Sequence, residues 1–378
     1  MTTIGIDYTS AIHQSAGIGR YTREMVNALA QIDAQSSYRL FVADAGKNID
    51  PPGTNFTCHT TRLTERWLAR LWYRLQLPLR IETWTGPLNL FHQPDFFLPP
   101  VKPGTRTIVT IHDLSFERQP SDTIMPGMEA HLKKWVPYAV QQADHIIAVS
   151  KATRQDLIEL YQTHPEKITV LYHGVTPEFQ PISDSAQLAE VRHKYNLGDR
   201  PFLLSVSTIQ PRKNYRRLIQ AFAQIDDTYS LVIAGSKGWG YDDVFAEVTR
   251  LGLEDRVHFP GFITDADLPA LYNAASLFVY PSLYEGFGMP VLEAQACGTP
   301  VVTSNVPPLP ETAGDAALLA DPYDVEALAT CLDQILRSET LRSKLRERGL
   351  AHARQFTWAR MAQETARVYR RAASIDVR

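Results

Sequence analysis

Two doubly wound α/β domains in one chain are what the sequence predicts, on three observations. The chain has 378 residues, 44% of them hydrophobic, enough for two buried cores. Short β-rich apolar runs alternate with longer helical patterns, the signature of parallel sheets covered by helices. The alternation occurs twice, once on each side of a break in the pattern.

In the first half "TIGIDY", "YRLFVA", "LNLFHQ", "RTIVTIHD", "HIIAVS" and "ITVLYHGV" read as strands, with amphipathic segments such as 19 to 31 and 127 to 142 between them. The second half repeats the scheme with "PFLLSVST", "YSLVIAG", "RVHFPGF", "SLFVYPS" and "PVVTSN". Between them, over 176 to 200, proline, aspartate and serine replace strand formers, which marks the boundary. The expected division is 1–178 and 179–355, followed by a strongly helical tail over 356–378. No short-period repeat or low-complexity tract interrupts either half. The carboxyl ends of two such sheets are expected to face each other across a cleft, where open α/β sheets bind ligands.

Composition excludes several function classes. A formal charge of -3 argues against general nucleic-acid affinity, which needs a strongly basic surface. The amino terminus lacks a basic and apolar leader, and no apolar run is long enough to span a bilayer, so a cytoplasmic protein is expected. Cys58, Cys297 and Cys331 are far apart and outside any CxxC pattern, which speaks against a disulfide framework or a cysteine zinc site. His13, His59, His92, His131, His173 and His258 have no metal-ligand spacing. "TDADL" at 264 to 268 contains an Asp-x-Asp but precedes a helical pattern, so Thr264 or Asp265 is expected as a helix cap. "AGSKGWGYDD" at 234 to 243 lacks P-loop spacing and reads as a βα loop edging a nucleotide pocket.

The informative stretch is "SLYEGFGMPVLEAQACGTP", 282 to 300, with Glu285 and Glu293 around a glycine turn. A strand precedes it, and a short helix follows with Pro290 expected at its first position, Gly298 at its left-handed end and Pro300 stopping it. A strand, a glycine loop and a helix N-terminus make an anion site, here for phosphate, with Met289 and Val291 as backbone donors. Glu293 leans back toward that end because helical Cβ vectors point to the N-terminus, within reach of a sugar diol. An ordinary tight turn with a solvated helix glutamate is the bland alternative. Two further segments weigh against it. "STIQPRKNYRRLIQAF" places Arg212 and Lys213 in a βα loop, a fork and a point charge suited to a diphosphate. "SAGIGRYTREMVNAL" sets Gly17 and Gly19 between a strand and a helix, which permits close backbone approach.

The combination of "GIGRY", "IHD", "QPRKN", "EGFGMPVLE" and "SNVPPLPETAGDAALLADP" resembles the retaining glycosyltransferases of family 4, the group 1 glycosyltransferases of GT-B fold. The pattern is most similar to bacterial O-antigen and exopolysaccharide mannosyltransferases. The resemblance implies two Rossmann-like domains, the first for the acceptor and the second for a nucleotide-sugar donor, with the carboxyl-terminal helix crossing back onto the first. It implies that Glu285 holds hydroxyls of the donor hexose, Glu293 the ribose, Arg212 and Lys213 the diphosphate, and His112 the hexose near the reaction centre. Gly286 and the backbone of Phe287, Gly288 and Met289 would meet the sugar and its phosphate. Gly17, Gly19, Phe262 and Val291 complete the implied donor set. Many relatives carry an arginine where this chain has Ser207 or Thr208, which puts more of the phosphate charge on the Arg-Lys pair.

Paired glycosidase carboxylates flank a scissile bond and need no phosphate cradle, so an acid-base pair is disfavoured. The expected chemistry is front-face hexosyl transfer with retention, with GDP-mannose as the expected donor, in lipopolysaccharide or similar cell-surface polysaccharide biosynthesis. The leaving diphosphate would be stabilised by cations and a helix dipole, with no cofactor and no metal. A UDP-sugar donor, a phosphorylase or epimerase of this architecture, and a non-catalytic sugar-nucleotide-binding subunit stay open. The acceptor is expected to be a saccharide or a lipid-linked saccharide. On a helix, Arg62, Arg66, Arg70 and Arg74 would form one row beside Trp67, Leu71 and Leu75, so 62 to 81 either packs on the sheet or lies peripherally on the anionic inner face of the cell membrane.

Overall fold

A computed structural model of the chain describes every residue except 15–16, 45–48, 119–127 and 375–378. The first residue of the segment 127 to 142 and the end of the tail 356–378 therefore lie outside the described residues. The chain divides into two compact units. One holds Met1–Leu114, Gly127–Gly174 and Thr357–Arg378, and the other Ser115–Pro126 and Val175–Phe356.

The first unit is built on seven parallel strands: β1 (Thr3–Asp7), β2 (Ser37–Val42), β3 (Phe56–Thr60), β4 (Leu90–Gln93), β5 (Arg106–Ile111), β6 (His145–Ala148) and β7 (Ile168–Val170). Their order is β3-β2-β1-β4-β5-β6-β7, with Ile4 set between Tyr38 and Leu90. Helix Ile18–Ile32 buries Tyr21, Met25, Val26 and Leu29 along one stripe. Helix Trp358–Ala373 packs against it, and its small residues Ala362, Thr365 and Ala366 permit close approach. Tyr369 of that last helix bonds His92 Nδ1 at 2.6 Å under the sheet. Strand β3 was not expected, because "FTCHT" at a sheet edge keeps only Phe56 buried and lacks an apolar run.

The second unit has six parallel strands: β8 (Phe202–Val206), β9 (Ser230–Ala234), β10 (Val257–Gly261), β11 (Leu277–Tyr280), β12 (Val301–Ser304) and β13 (Leu318–Ala320), in the order β10-β9-β8-β11-β12-β13. Leu203, Leu231, Ile233 and Val302 face one apolar layer, while Leu204, Val232, Phe278 and Tyr280 face another. Burial on both faces is why these strands read as unbroken apolar runs. Residues 176 to 200 are built into this unit: Phe179, Val191 and Leu197 are buried in the second layer, and Asn273 clasps Gln180 and Ile182.

The segment 62 to 81 departs from the expected helix. Thr64 caps a short helix, Glu65–Ala69, which widens into a π turn at Arg70–Arg74. Arg62 precedes the cap, and the wider turn breaks the i+4 spacing, so no row of four arginines forms. Leu68 is buried, whereas Trp67 and Leu75 are 53% and 60% exposed. Among the described residues no helix is long and apolar enough to cross a membrane.

Candidate functional site

In the second sheet β8 and β11 are neighbours, yet the chain continues from β8 to β9 on one side and from β11 to β12 on the other. Their following loops diverge at the carboxyl ends, which is the crevice position of an open α/β sheet. After β8, Pro211–Lys213 form a single 3-10 turn and Asn214 adopts a left-handed conformation at φ 60°, releasing the chain into helix Tyr215–Phe222. Asn214 Nδ2 donates to Pro281 and Pro322 carbonyls at 3.1 and 2.6 Å, and Leu283 N–H donates to the Arg212 carbonyl at 2.9 Å. These bonds fix the two loops to each other.

Inside this frame lies an ionic cluster. Lys213 Nζ donates to Glu285 Oε1 at 2.5 Å and to the Tyr280 hydroxyl at 2.7 Å, and Arg212 reaches Glu285 Oε2 at 3.4 Å. Lys213 and Glu285 are only 6% and 7% exposed. Burial pushes the Glu285 carboxyl up, but Arg212 and Lys213 outweigh it and hold it down to about 2. Burial and then the Glu285 charge push the Tyr280 hydroxyl well up, so it stays protonated. Among the described side chains the cluster sets two cations against one carboxylate.

The loop from Glu285 passes Gly286 and the buried Phe287, whose carbonyl accepts from Thr312 Oγ1, to Gly288. Gly288 has φ +98°, and a Cβ there would come within 2.8 Å of Leu309. Helix Met289–Ala296 then begins, so Pro290 is its second residue rather than its first. Val291 N–H donates to the Gly288 carbonyl at 3.0 Å and is already spent, which removes it from the expected donors. Gly298 ends the helix at φ +76°, with Gly298 N–H bonded to Gln295 and Thr299 N–H to Ala294, a Schellman closure. Glu293, one turn inside, is buried and accepts from the Tyr272 hydroxyl at 3.0 Å.

The structure thus gathers Arg212, Lys213 and Glu285 and sets Glu293 on the helix after their loop, while Phe262 stands 53% exposed just after β10. Gly17, Gly19 and His112 belong to the first unit. Gly17 is the N-cap of helix Ile18–Ile32 at φ +60°, where a Cβ would meet no atom of the described residues within 4 Å. Gly19 has a different reason from the expected one: a Cβ there would lie 2.2 Å from the Gln14 carbonyl, so the glycine serves packing of its own loop. His112 is buried, its Nε2–H donates to the Pro94 carbonyl at 2.8 Å, and burial lowers its pKa.

Other expectations resolve locally. Asp267, not Thr264 or Asp265, occupies the N-cap position of the helix after "TDADL", and its side chain makes no cap bond but accepts from Lys194 and Tyr195 at 2.7 Å and from Thr264 at 2.6 Å. The glycine-rich loop lies on the loop carrying Arg212, with Gly238 N–H bonded to Ile209 and Gly235 leaving no room for a Cβ beside Ser207. Among the described residues no group of three histidine, cysteine or acidic side chains could hold a metal ion. Sequence reasoning missed Tyr280, Tyr272 and Asn214. Tyr280 ends an apolar strand and reads as core, and Asn214 carried only the weak signal of an asparagine before a helix.

Two family models match: Glycosyltransferase Family 4 over residues 15–179 and Glycosyl transferases group 1 over 189–352. The O-antigen chain mannosyltransferase B of Escherichia coli is 34% identical over 373 residues, 94% of this chain and 96% of the relative. Sucrose-phosphate synthase of Thermosynechococcus elongatus superposes with a TM-score of 0.75 at 23% identity over 98% of this chain and 99% of that one. The Anabaena protein HepE, solved with UDP and glucose, gives 0.74 at 19% identity over 98% and 99%. These likenesses establish the fold as GT-B. With family models on both halves and a relative aligned nearly end to end, the chain belongs to the group 1 glycosyl transferases.

Proposed function

We propose that this enzyme is a retaining hexosyltransferase moving mannose from GDP-mannose onto a saccharide or lipid-linked saccharide in cell-surface polysaccharide synthesis. The cluster of buried Lys213 and Glu285 with half-buried Arg212 carries the proposal. Its two adjacent cations, a fork and a point charge, are complementary to a diphosphate, and Glu285 holds Lys213 in place before any donor arrives. The mannosyltransferase relative supports the choice of sugar.

In this reading the diphosphate lies against Arg212, Lys213 and the Met289 end of the helix, and Glu293 accepts from the ribose diol. Glu285 accepts from hexose hydroxyls. His112, with Nε2–H spent on Pro94, offers Nδ1 as an acceptor to the hexose. As the anomeric C–O bond to the diphosphate breaks, the new bond forms on the same face and the departing oxygen takes the acceptor's proton. The cations and the helix end oppose the developing charge, so the reaction requires no metal.

GDP-α-mannose should therefore give an α-linked product, in EDTA as without it. An inverted anomer by NMR, or activity lost to EDTA and restored by a divalent ion, would contradict the mechanism. We also propose reaction in the cytoplasm, with peripheral contact with an anionic membrane. This rests on exposed Trp67, Leu75 and Leu77 beside the exposed Arg66, Arg70 and Arg74 rather than on a helical row. The protein should sediment with anionic but not zwitterionic liposomes, less so as salt rises. Absence of sedimentation would remove the membrane from the account.

A further inference from the structure

The first sheet has its own switch point, where β1 and β4 are neighbours and the chain leaves them in opposite directions. Their register aligns Ile6 with His92, so the next residues, Asp7 and Gln93, end the two strands side by side. Asp95 follows two residues later. Asp7 accepts from Thr9 N–H at 2.9 Å and Asp95 from Phe96 N–H at 2.6 Å. Gln93 Oε1 has no donor among the described residues, and the residue is only 6% exposed. A buried acceptor left without a partner is costly, and a ligand hydroxyl is the group that would satisfy it.

Chemistry narrows the ligand. Burial, and then the Asp7 and Glu65 charges, push the Asp95 carboxyl up to about 6, so a negative charge at this end of the sheet is disfavoured. Carboxylates and an amide oxygen are acceptors, which call for hydroxyl donors and repel phosphate or uronate. They do not stand as a metal-binding group.

We propose that Asp7, Gln93 and Asp95 form a hydroxyl-binding subsite for a neutral sugar at the β1/β4 switch point, seating the terminal residue of the acceptor. This rests on the proposed transfer reaction only for the word acceptor; the chemistry of the subsite stands on its own residues. Neutral acceptor ends are then favoured over phosphorylated or acidic ones.

Saturation-transfer NMR with methyl α-mannoside and with mannose 6-phosphate, on the full chain in the presence of GDP, tests it. Wild type should bind the neutral glycoside and not the phosphorylated sugar. Asp95→Asn and Gln93→Met should each weaken the glycoside by about tenfold or more while GDP affinity by calorimetry is unchanged. Glycoside signals absent from wild type, equal in wild type and both variants, or matched by mannose 6-phosphate would overturn the subsite. Should GDP fail to bind any version while the glycoside pattern holds, the transfer reaction falls and the subsite stands.

Discussion

At the carboxyl ends of β1 and β4 the first unit gathers Asp7, Gln93 and Asp95, whereas at those of β8 and β11 the second gathers Arg212, Lys213 and Glu285. The backbones are alike: parallel sheets whose order reverses at the same relative place. The electrostatics are opposite. In the second unit buried charges are paired, and Glu285 is held at about 2 despite its burial. In the first, burial is only partly offset by a backbone hydrogen bond, and with Asp7 and Glu65 adding to it Asp95 rises to about 6. The fold supplies a crevice in each unit, and under the two proposals the side chains at the strand ends and in the loops after them choose between a hydroxylic and an anionic ligand.

The strongest way to break this contrast is to unpair the second site. Lys213→Ala should destabilise the protein by roughly 3 to 5 kcal/mol, because Glu285 is left as a buried charge with its closest partner gone. Transfer should fall by about 2 to 4 kcal/mol of transition-state stabilisation, the scale of one lost oxyanion donor. Lys213→Met combined with Glu285→Gln should recover much of the stability and none of the transfer. Urea denaturation beside a transfer assay separates the two losses; equal stability of Lys213→Ala and wild type would show that the pair is not buried.

A smaller effect sharpens the contrast through pH. Glu285 has a depressed folded pKa, so its stabilisation is present above the ordinary value near 4.5 and is lost as pH falls toward about 2. Asp95 has a raised one, so its favourable contribution exists below the ordinary value near 3.8 and is lost as pH rises through about 6. Asp95→Asn should therefore stabilise the protein by roughly 1 to 3 kcal/mol at pH 8, with the gain gone by pH 4, whereas Glu285→Gln should destabilise at pH 8. Denaturant melts at the two pH values check both signs, and a pH-independent Asp95→Asn would remove the contrast.

Much of the second unit's site was legible because its signals are local. Arg212 and Lys213 are adjacent, and Glu285, the glycines and Glu293 fall within nine residues, so spacing alone carried their geometry. What was not legible is tertiary. Tyr280 looks like any strand-ending aromatic until Lys213 is folded against it. Val291 loses its donor role to a bond that depends on where the helix starts, a boundary that Pro290 alone leaves one residue uncertain. In the first unit Asp7, Gln93 and Asp95 are 88 residues apart at the extremes and meet only through the crossover that makes β4 the neighbour of β1. The arginine row at 62 to 81 failed for a local reason, a π turn that no periodicity marks.

Calorimetry with GDP and GMP on wild type, Lys213→Gln and Glu293→Ala shows whether the β8/β11 crevice holds the diphosphate of a nucleotide sugar. Wild type should prefer GDP, Lys213→Gln should lose that preference, and Glu293→Ala should weaken GDP and GMP alike by about 1.5 to 3 kcal/mol through a lost charge-assisted bond to the ribose. Equal GDP affinity in wild type and a folded Lys213→Gln would contradict that placement.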